Sequence, residues 1–257
     1  MSKAFSPEQA ALARRVDSHF FKAWPAMGDM DLDGWRIRIA GGYTRRANSV
    51  TPVEPGSMSV HSKVMWAERF YGERGLQTAF RITNHYADQT LDEFLQGRGY
   101  LIEAPTDILK MDLPREIPST DIPIDDFATD VWIDGRLALD PTVHPHLETM
   151  TFIHRHAPPP RAFARIEIGG RVIAIGRAVV AGPLSALDSM RTDNGHLRRG
   201  HARSVMNALL SWSRGQGAEV AWLQVAHDNE SAQNLYRSVG FQTIGGYHYR
   251  VKPTPRF

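Results

Sequence analysis

Two amphipathic segments, each stopped by glycine and each followed by a strand, constrain the C-terminal half of this chain more than any other feature. His201 to Arg214 carries Val205, Met206, Leu209, Leu210 and Trp212 at helical spacing, and Gly215 and Gly217 end it. Glu219 to Val225 reads as a strand. Asn229 to Val239 is a second helix with Ala232, Leu235, Tyr236 and Val239 on one face, Gly240 is its stop, and Tyr247 to Val251 is again a strand. Upstream, Ala162 to Ile168, the Gly169-Gly170 turn and Val172 to Val180 form a hairpin signal, and Leu184 to Thr192 adds a further strand. Strands, glycine turn, helix, strand, helix, strand: this order requires a mixed α/β sheet.

The N-terminal half is also mixed. Pro7 to Ala23 is an amphipathic helix, and Trp35 to Ala40, a Gly41-Gly42 turn and Ala47 to Val53 suggest a hairpin. Ser62 to Glu73 reads as a helix closed by Gly75, Thr78 to Thr83 as a strand and Thr90 to Gln96 as a short helix. Two strands follow, at Tyr100 to Ala104 and Asp107 to Leu113. Pro114 to Asp126 is rich in proline and acid and lacks periodicity, so the expected division is residues 1–118, a linker at 119–126, and residues 127–257.

A chain of 257 residues has room for one large domain or two ordinary ones, and 42% hydrophobic with 23% charged residues is a soluble globular balance. The absence of cysteine excludes disulfides, thiolate nucleophiles and cysteine-built zinc sites. No apolar run reaches the roughly 20 residues of a membrane helix, and the first residues carry no leader pattern, so no membrane association and a cytoplasmic location are expected. A net charge of +2 with a pI near 9.0 is a weak argument for nucleic acid, and no aromatic and basic stripe supports it.

The chemistry is expected in Leu197-Arg198-Arg199-Gly200-His201-Ala202, between a strand and a helix. Unpaired amides of a first helical turn point outward there and the helix dipole favours an anion, so a phosphate or diphosphate suits the place. Gly200 lets the backbone come close. A plain tight turn is the competing reading of the loop alone.

That loop, the strand Ala221 to Val225, and then Asn229, Ala232, Leu235-Tyr236 and Gly240-Phe241 together resemble the signature of the GNAT acetyltransferases. The family loop runs Q/R-x-x-G-x-G/A and its later helix N-x-x-A-x-x-L-Y-x-x-x-G-F. The helix pattern is met at each written position, whereas the first loop position is Leu197, so a side-chain contact to the diphosphate passes to Arg198 or Arg199. The resemblance is strongest over Ala162 to Val251. Trp35 to Val53, Tyr71 to Gly75 and Leu91 to Tyr100 resemble segments of a two-half GNAT group. The implied architecture is a GNAT fold: a C-terminal acetyl-CoA-binding domain preceded by a degenerate GNAT-like domain that shapes the acceptor site.

The resemblance implies direct transfer of acetyl from acetyl-CoA to the primary amine of an acceptor: a small metabolite, an amino acid derivative, an antibiotic or a protein lysine, among which the sequence does not choose, a small molecule being the expected partner. The cofactor-binding set it implies is Met190, Arg191 and Thr192 on the strand edge, Leu197, Arg198, Arg199, Gly200, His201 and Ala202 in the loop, and Asn229 and Ala232. Asn229 is equally a good N-cap. Tyr236 matches the family tyrosine that protonates the thiolate, against the plain reading of a half-buried packing residue. Asp188 is the candidate base, although a carboxylate on a strand is more often salt-bridged. Arg45, Arg46 and Asn48 either line an acceptor pocket or lie on a solvated edge. His144, His146, His154 and His156 read as surface or loop residues, and no metal is expected. The competing function is a non-catalytic acyl-CoA sensor.

Overall fold

The computed structural model describes residues 7–83, 89–118 and 120–253, so Ser119, the first residue of the expected linker, lies outside them. The chain begins with α1 (Pro7–Ala23), β1 (Gly28–Leu32), β2 (Trp35–Ile39) and β3 (Val50–Pro52), followed by α2 (Val60–Gly72), β4 (Ala79–Thr83), α3 (Gln89–Gly97) and β5 (Leu101–Asp112). It continues through β6 (Ile124–Asp125), α4 (Asp130–Leu139), α5 (Leu147–Arg155), β7 (Arg161–Ile168), β8 (Arg171–Ala181) and β9 (Leu184–Thr192). The end is α6 (His201–Gly215), β10 (Val220–Ala226), α7 (Glu230–Val239) and β11 (Gln242–Val251).

The described strands make one sheet of 11, in the order β1-β2-β3-β4-β11-β5-β10-β9-β8-β7-β6. β11 thus lies between β4 and β5, antiparallel to both, and ties the two halves together. Alternation sends consecutive strand residues to opposite faces. One face is covered by α1, α4 and α5, where Phe20, Trp24, Trp132 and Ile153 pack on Ala186, Trp222, Tyr247 and Tyr249. On the other, Val205, Leu209 and Tyr236 of α6 and α7 pack on Leu109, Leu187 and Leu223. A third cluster, with Trp35, Val64, Phe80 and Leu95, seats α2 and α3 on the N-terminal strands.

Two expectations are corrected and one gap is filled. Residues 101–112 form one strand, bent at Ala104 (φ 46), rather than two. The expected linker is not free to its end, because Ile124 and Asp125 pair with Ala164 and Phe163 as the outermost strand. Residues 127–157, unassigned from sequence, hold α4 and α5; Thr129 caps α4 by accepting the Trp132 amide at 3.2 Å.

The strand geometry also opens the sheet. β9 and β10 are parallel and paired only from Leu184/Val220 to Leu187/Leu223. Beyond that point β10 stays with β5 as far as Ala226, while β9 bulges at Ser189, whose φ is 56. Facing the bulge on β8 is Gly176, where an added Cβ would stand 2.5 Å from Met190 Sδ and 2.8 Å from Val205 Cγ1. Gly176→Val is therefore expected to destabilise the protein by about 1–3 kcal/mol through overpacking, read as a lowered denaturation midpoint. An unchanged midpoint would mean the bulge does not depend on that glycine.

Candidate active site

Between the separated ends of β9 and β10 lies a cavity of about 440 Å³, large enough for a small-molecule site. Of the residues singled out in the sequence, it brings together Asp188, Met190, Arg191, Asn229, Ala232 and Tyr236, with Arg45 and Arg46 from the N-terminal half. Thr192 and the 197–202 turn do not line this cavity; they follow β9 along the chain, where a short 3₁₀ turn (Asn194–His196) leads into α6.

The turn is open. α6 starts at His201 with Gly200 as its N-cap residue (φ 86) and no side chain capping it, so no cap takes its first-turn amides. Leu197, Arg198, Arg199 and Gly200 are exposed, and an added Cβ at Gly200 would meet nothing within 4 Å. Arg198 and Arg199 enter no ion pair among the described residues. These are the properties of an anion seat at a helix N-terminus.

Asn229 is the cap of α7, its Oδ1 accepting the Ala232 amide at 3.1 Å. One turn on, Tyr236 is 8% exposed, and burial pushes its phenol up to about 12 against the opposing charges of Arg191 and Arg46. A phenol so raised stays protonated at neutral pH and is a donor.

Asp188 reaches the cavity with both oxygens occupied. Arg177 donates from Nε to Oδ1 at 2.8 Å and from Nη2 to Oδ2 at 2.6 Å, and Ser189 Oγ adds a bond at 2.8 Å. Arg177 itself is fully buried on β8 and also donates to the Ala23 carbonyl at 2.9 Å. Sequence reading passed over it; the available signal was one cation inside the apolar run of β8.

The polar segment of the N-terminal half divides by role. Arg45 and Arg46 line the cavity together with Tyr43 and Thr44. Asn48 is buried beneath, its Oδ1 accepting the amides of Ala40 (2.7 Å) and Gly42 (3.0 Å) while Nδ2 donates to the carbonyls of Tyr43 and Thr44 (both 2.9 Å). It shapes the loop that delivers the two arginines. Trp24, Arg136, Gln224, Tyr247 and Tyr249 also line the cavity and were missed; Tyr247 donates to Gln224 Oε1 at 3.1 Å.

The histidines do not gather. His144 and His156 are exposed, but His154 is a correction: it is buried on α5 between Trp24 and Trp132, at ring distances of 5.6 and 4.8 Å. Burial, with Arg177 and Arg136 nearby, holds it well below the ordinary histidine value and neutral. No group of three or more metal-ligating side chains stands together among the described residues. No helix among them is long and apolar enough to cross a membrane.

The arrangement is a sheet split at one parallel pair, an open anion turn beside the split and a neutral phenol facing it. A family model described as "Probable histone acetyltransferase Rv0428c C-terminal" matches residues 11–250. The chain is 28% identical over 247 residues to the uncharacterized N-acetyltransferase YobR of Bacillus subtilis (strain 168), covering 93% of this chain and 98% of that one. It is 25% identical to the probable histone acetyltransferase Rv0428c of Mycobacterium tuberculosis (strain ATCC 25618 / H37Rv), covering 96% and 76% respectively. Among solved structures, a GCN5-related N-acetyltransferase from Kribbella flavida superposes with a TM-score of 0.68 at 15% identity, over 95% of this chain and 96% of that one. The chain is an acyltransferase of the GNAT superfamily and belongs to the family of the Rv0428c C-terminal region.

Proposed function

We propose that the protein transfers acetyl from acetyl-CoA directly to a primary amine of an acceptor bound between its two halves. The observation that carries this reading is the split at Leu187/Leu223, with Tyr236 lining it and an uncapped helix start following β9 along the chain. Acetyl-CoA supplies an activated thioester whose carbonyl the amine attacks. The amides of the turn at Arg198 to Ala202 hold its diphosphate, and the unpaired edge of β9 at Met190 to Thr192 holds its extended arm.

Tyr236 gives its proton to the departing sulfur, a role that needs the phenol neutral. Asp188, occupied by Arg177, positions the bulge of β9 rather than taking the ammonium proton, which leaves to water in the cavity. The N-terminal half shapes the acceptor side through Tyr43, Arg45 and Arg46. The competing reading, a non-catalytic acyl-CoA sensor, gives Tyr236 no task.

Acetyl-CoA at about 100 times its Kd is expected to add about 2.7 kcal/mol of stability, measured as a rise in the denaturation midpoint. Thiol release with a panel of amines tests the chemistry. A cofactor-induced shift without release from any amine would favour the sensor, and no shift would remove both readings.

A further inference from the structure

The cavity is lined from both faces of the sheet, and the two linings differ in chemistry. Tyr236, Leu187, Leu223 and Val225 belong to the packing layer of α6 and α7, on the side of the anion turn. Trp24, Ala186, Trp222, Tyr247 and Tyr249 belong to the opposite layer. A cofactor held from the first face leaves the second for the acceptor, and there Arg46 lies against Trp24 while Arg136 and Arg191 meet at Asp140.

Their charges are unevenly met. Arg177 is taken by Asp188, and Arg45 by Glu103. Arg136 and Arg191 share a single oxygen, Asp140 Oδ2, at 3.1 and 3.3 Å. Arg46 has no carboxylate within 4.0 Å among the described residues; its guanidinium lies 5.6 Å from the Trp24 ring centroid. Burial works against its charge, yet a hydrogen bond to Tyr247 and the charge of Asp188 work for it, and the balance favours the cation. Its backbone is fixed from below, since Arg38, fully buried, donates to the Arg46 carbonyl at 2.6 Å. Two further groups of the lining, Thr44 Oγ1 and Tyr249 Oη, are buried without a hydrogen-bond partner. A guanidinium with no carboxylate of its own, beside an aromatic wall and two unpartnered hydroxyls, is a ready seat for a carboxylate.

Resting on the transferase reading above, we propose that the acceptor is a small amine that also carries a carboxylate, seated with that carboxylate on Arg46 and its amine toward the β9–β10 opening. Arg136 and Arg191, with one carboxylate oxygen between them, line the same cavity and reinforce the preference. The sharing of Asp140 leaves this end of the cavity cationic with every described partner in place.

The test is a matched panel with acetyl-CoA: lysine against cadaverine, phenylalanine against phenethylamine, phosphoethanolamine, and a lysine-containing peptide with neutral ends. The carboxylated member of a pair is expected to win by at least about tenfold in kcat/KM, chiefly through KM. Arg46→Gln should shrink that ratio by about tenfold, and Arg46→Lys, which keeps the charge but not the fork, should fall between. Both variants are first checked for an unchanged denaturation midpoint; if Arg46→Gln fails this, the wild-type ratio and Arg46→Lys decide. Equal or better turnover of the amines that lack a carboxylate, of phosphoethanolamine or of the peptide overturns the proposal and leaves the transferase reading standing, as does a ratio unmoved in the variants. Transfer to no amine at all removes both.

Discussion

Tyr236→Phe is expected to lower kcat by about 10²-fold or more while leaving the affinity for acetyl-CoA nearly unchanged, because it deletes one proton donor and no packing surface. The ring is held by burial and by an edge contact to Phe241 at 6.0 Å, both of which phenylalanine keeps. Loss of a general acid appears in kcat and kcat/KM together, since the interaction exists only as the sulfur departs. The pH profile gives a second readout. With the phenol pushed up to about 12, its ionisation lies above the assay range, so wild-type turnover should show no alkaline fall from this group. A thiol of low pKa leaves without protonation, so activated thioester donors should recover part of the lost rate. Full turnover by the phenylalanine variant would take Tyr236 out of the mechanism.

Arg177→Met is expected to cost about 3–5 kcal/mol of stability, the penalty for leaving a buried carboxylate without its partner. Arg177 joins three elements: it forks onto Asp188 of β9, donates to the Ala23 carbonyl at the end of α1, and lies 5.1 Å from the ring centroid of Trp24. Asp188 is 13% exposed and lines the cavity, so water there offsets part of the loss and the lower end of the range is expected. Removing both charges together, as Arg177→Met with Asp188→Leu, should restore much of the stability, whereas the single changes should not add. The same cycle tests the role of Asp188. As a positioning group, Asp188→Asn should lower stability and kcat together while the pH dependence of kcat/KM keeps its shape. A lost acidic limb at unchanged stability would instead make it the base.

The sequence showed α6 and α7 plainly because each has a regular apolar stripe and a glycine stop, and the helix pattern from Asn229 to Phe241 brought Tyr236 with it. The cavity's other half was harder to see. α4 was hidden by Gly135, which a helix tolerates poorly but which this one needs, since an added Cβ would stand 2.7 Å from Val172 Cγ1. α5 follows Pro141 and Pro145, which read as loop. Arg177 and the Tyr247–Tyr249 pair carry no local signal of their place, because what assembles them is strand order. Arg45 and Arg46 were noticed, but which way they face depends on Asn48 drawing the loop around its own amide.

The intercalation of β11 between β4 and β5 bears on how the molecule comes into being. During synthesis every other described element emerges before the strand that fills the middle of the sheet, so the nascent chain carries two facing unpaired edges until Gln242 to Val251 arrive. Such a chain completes its sheet only once its last described strand has been made. It would depend on holdase chaperones more than a protein of equal size whose sheet grows outward in order.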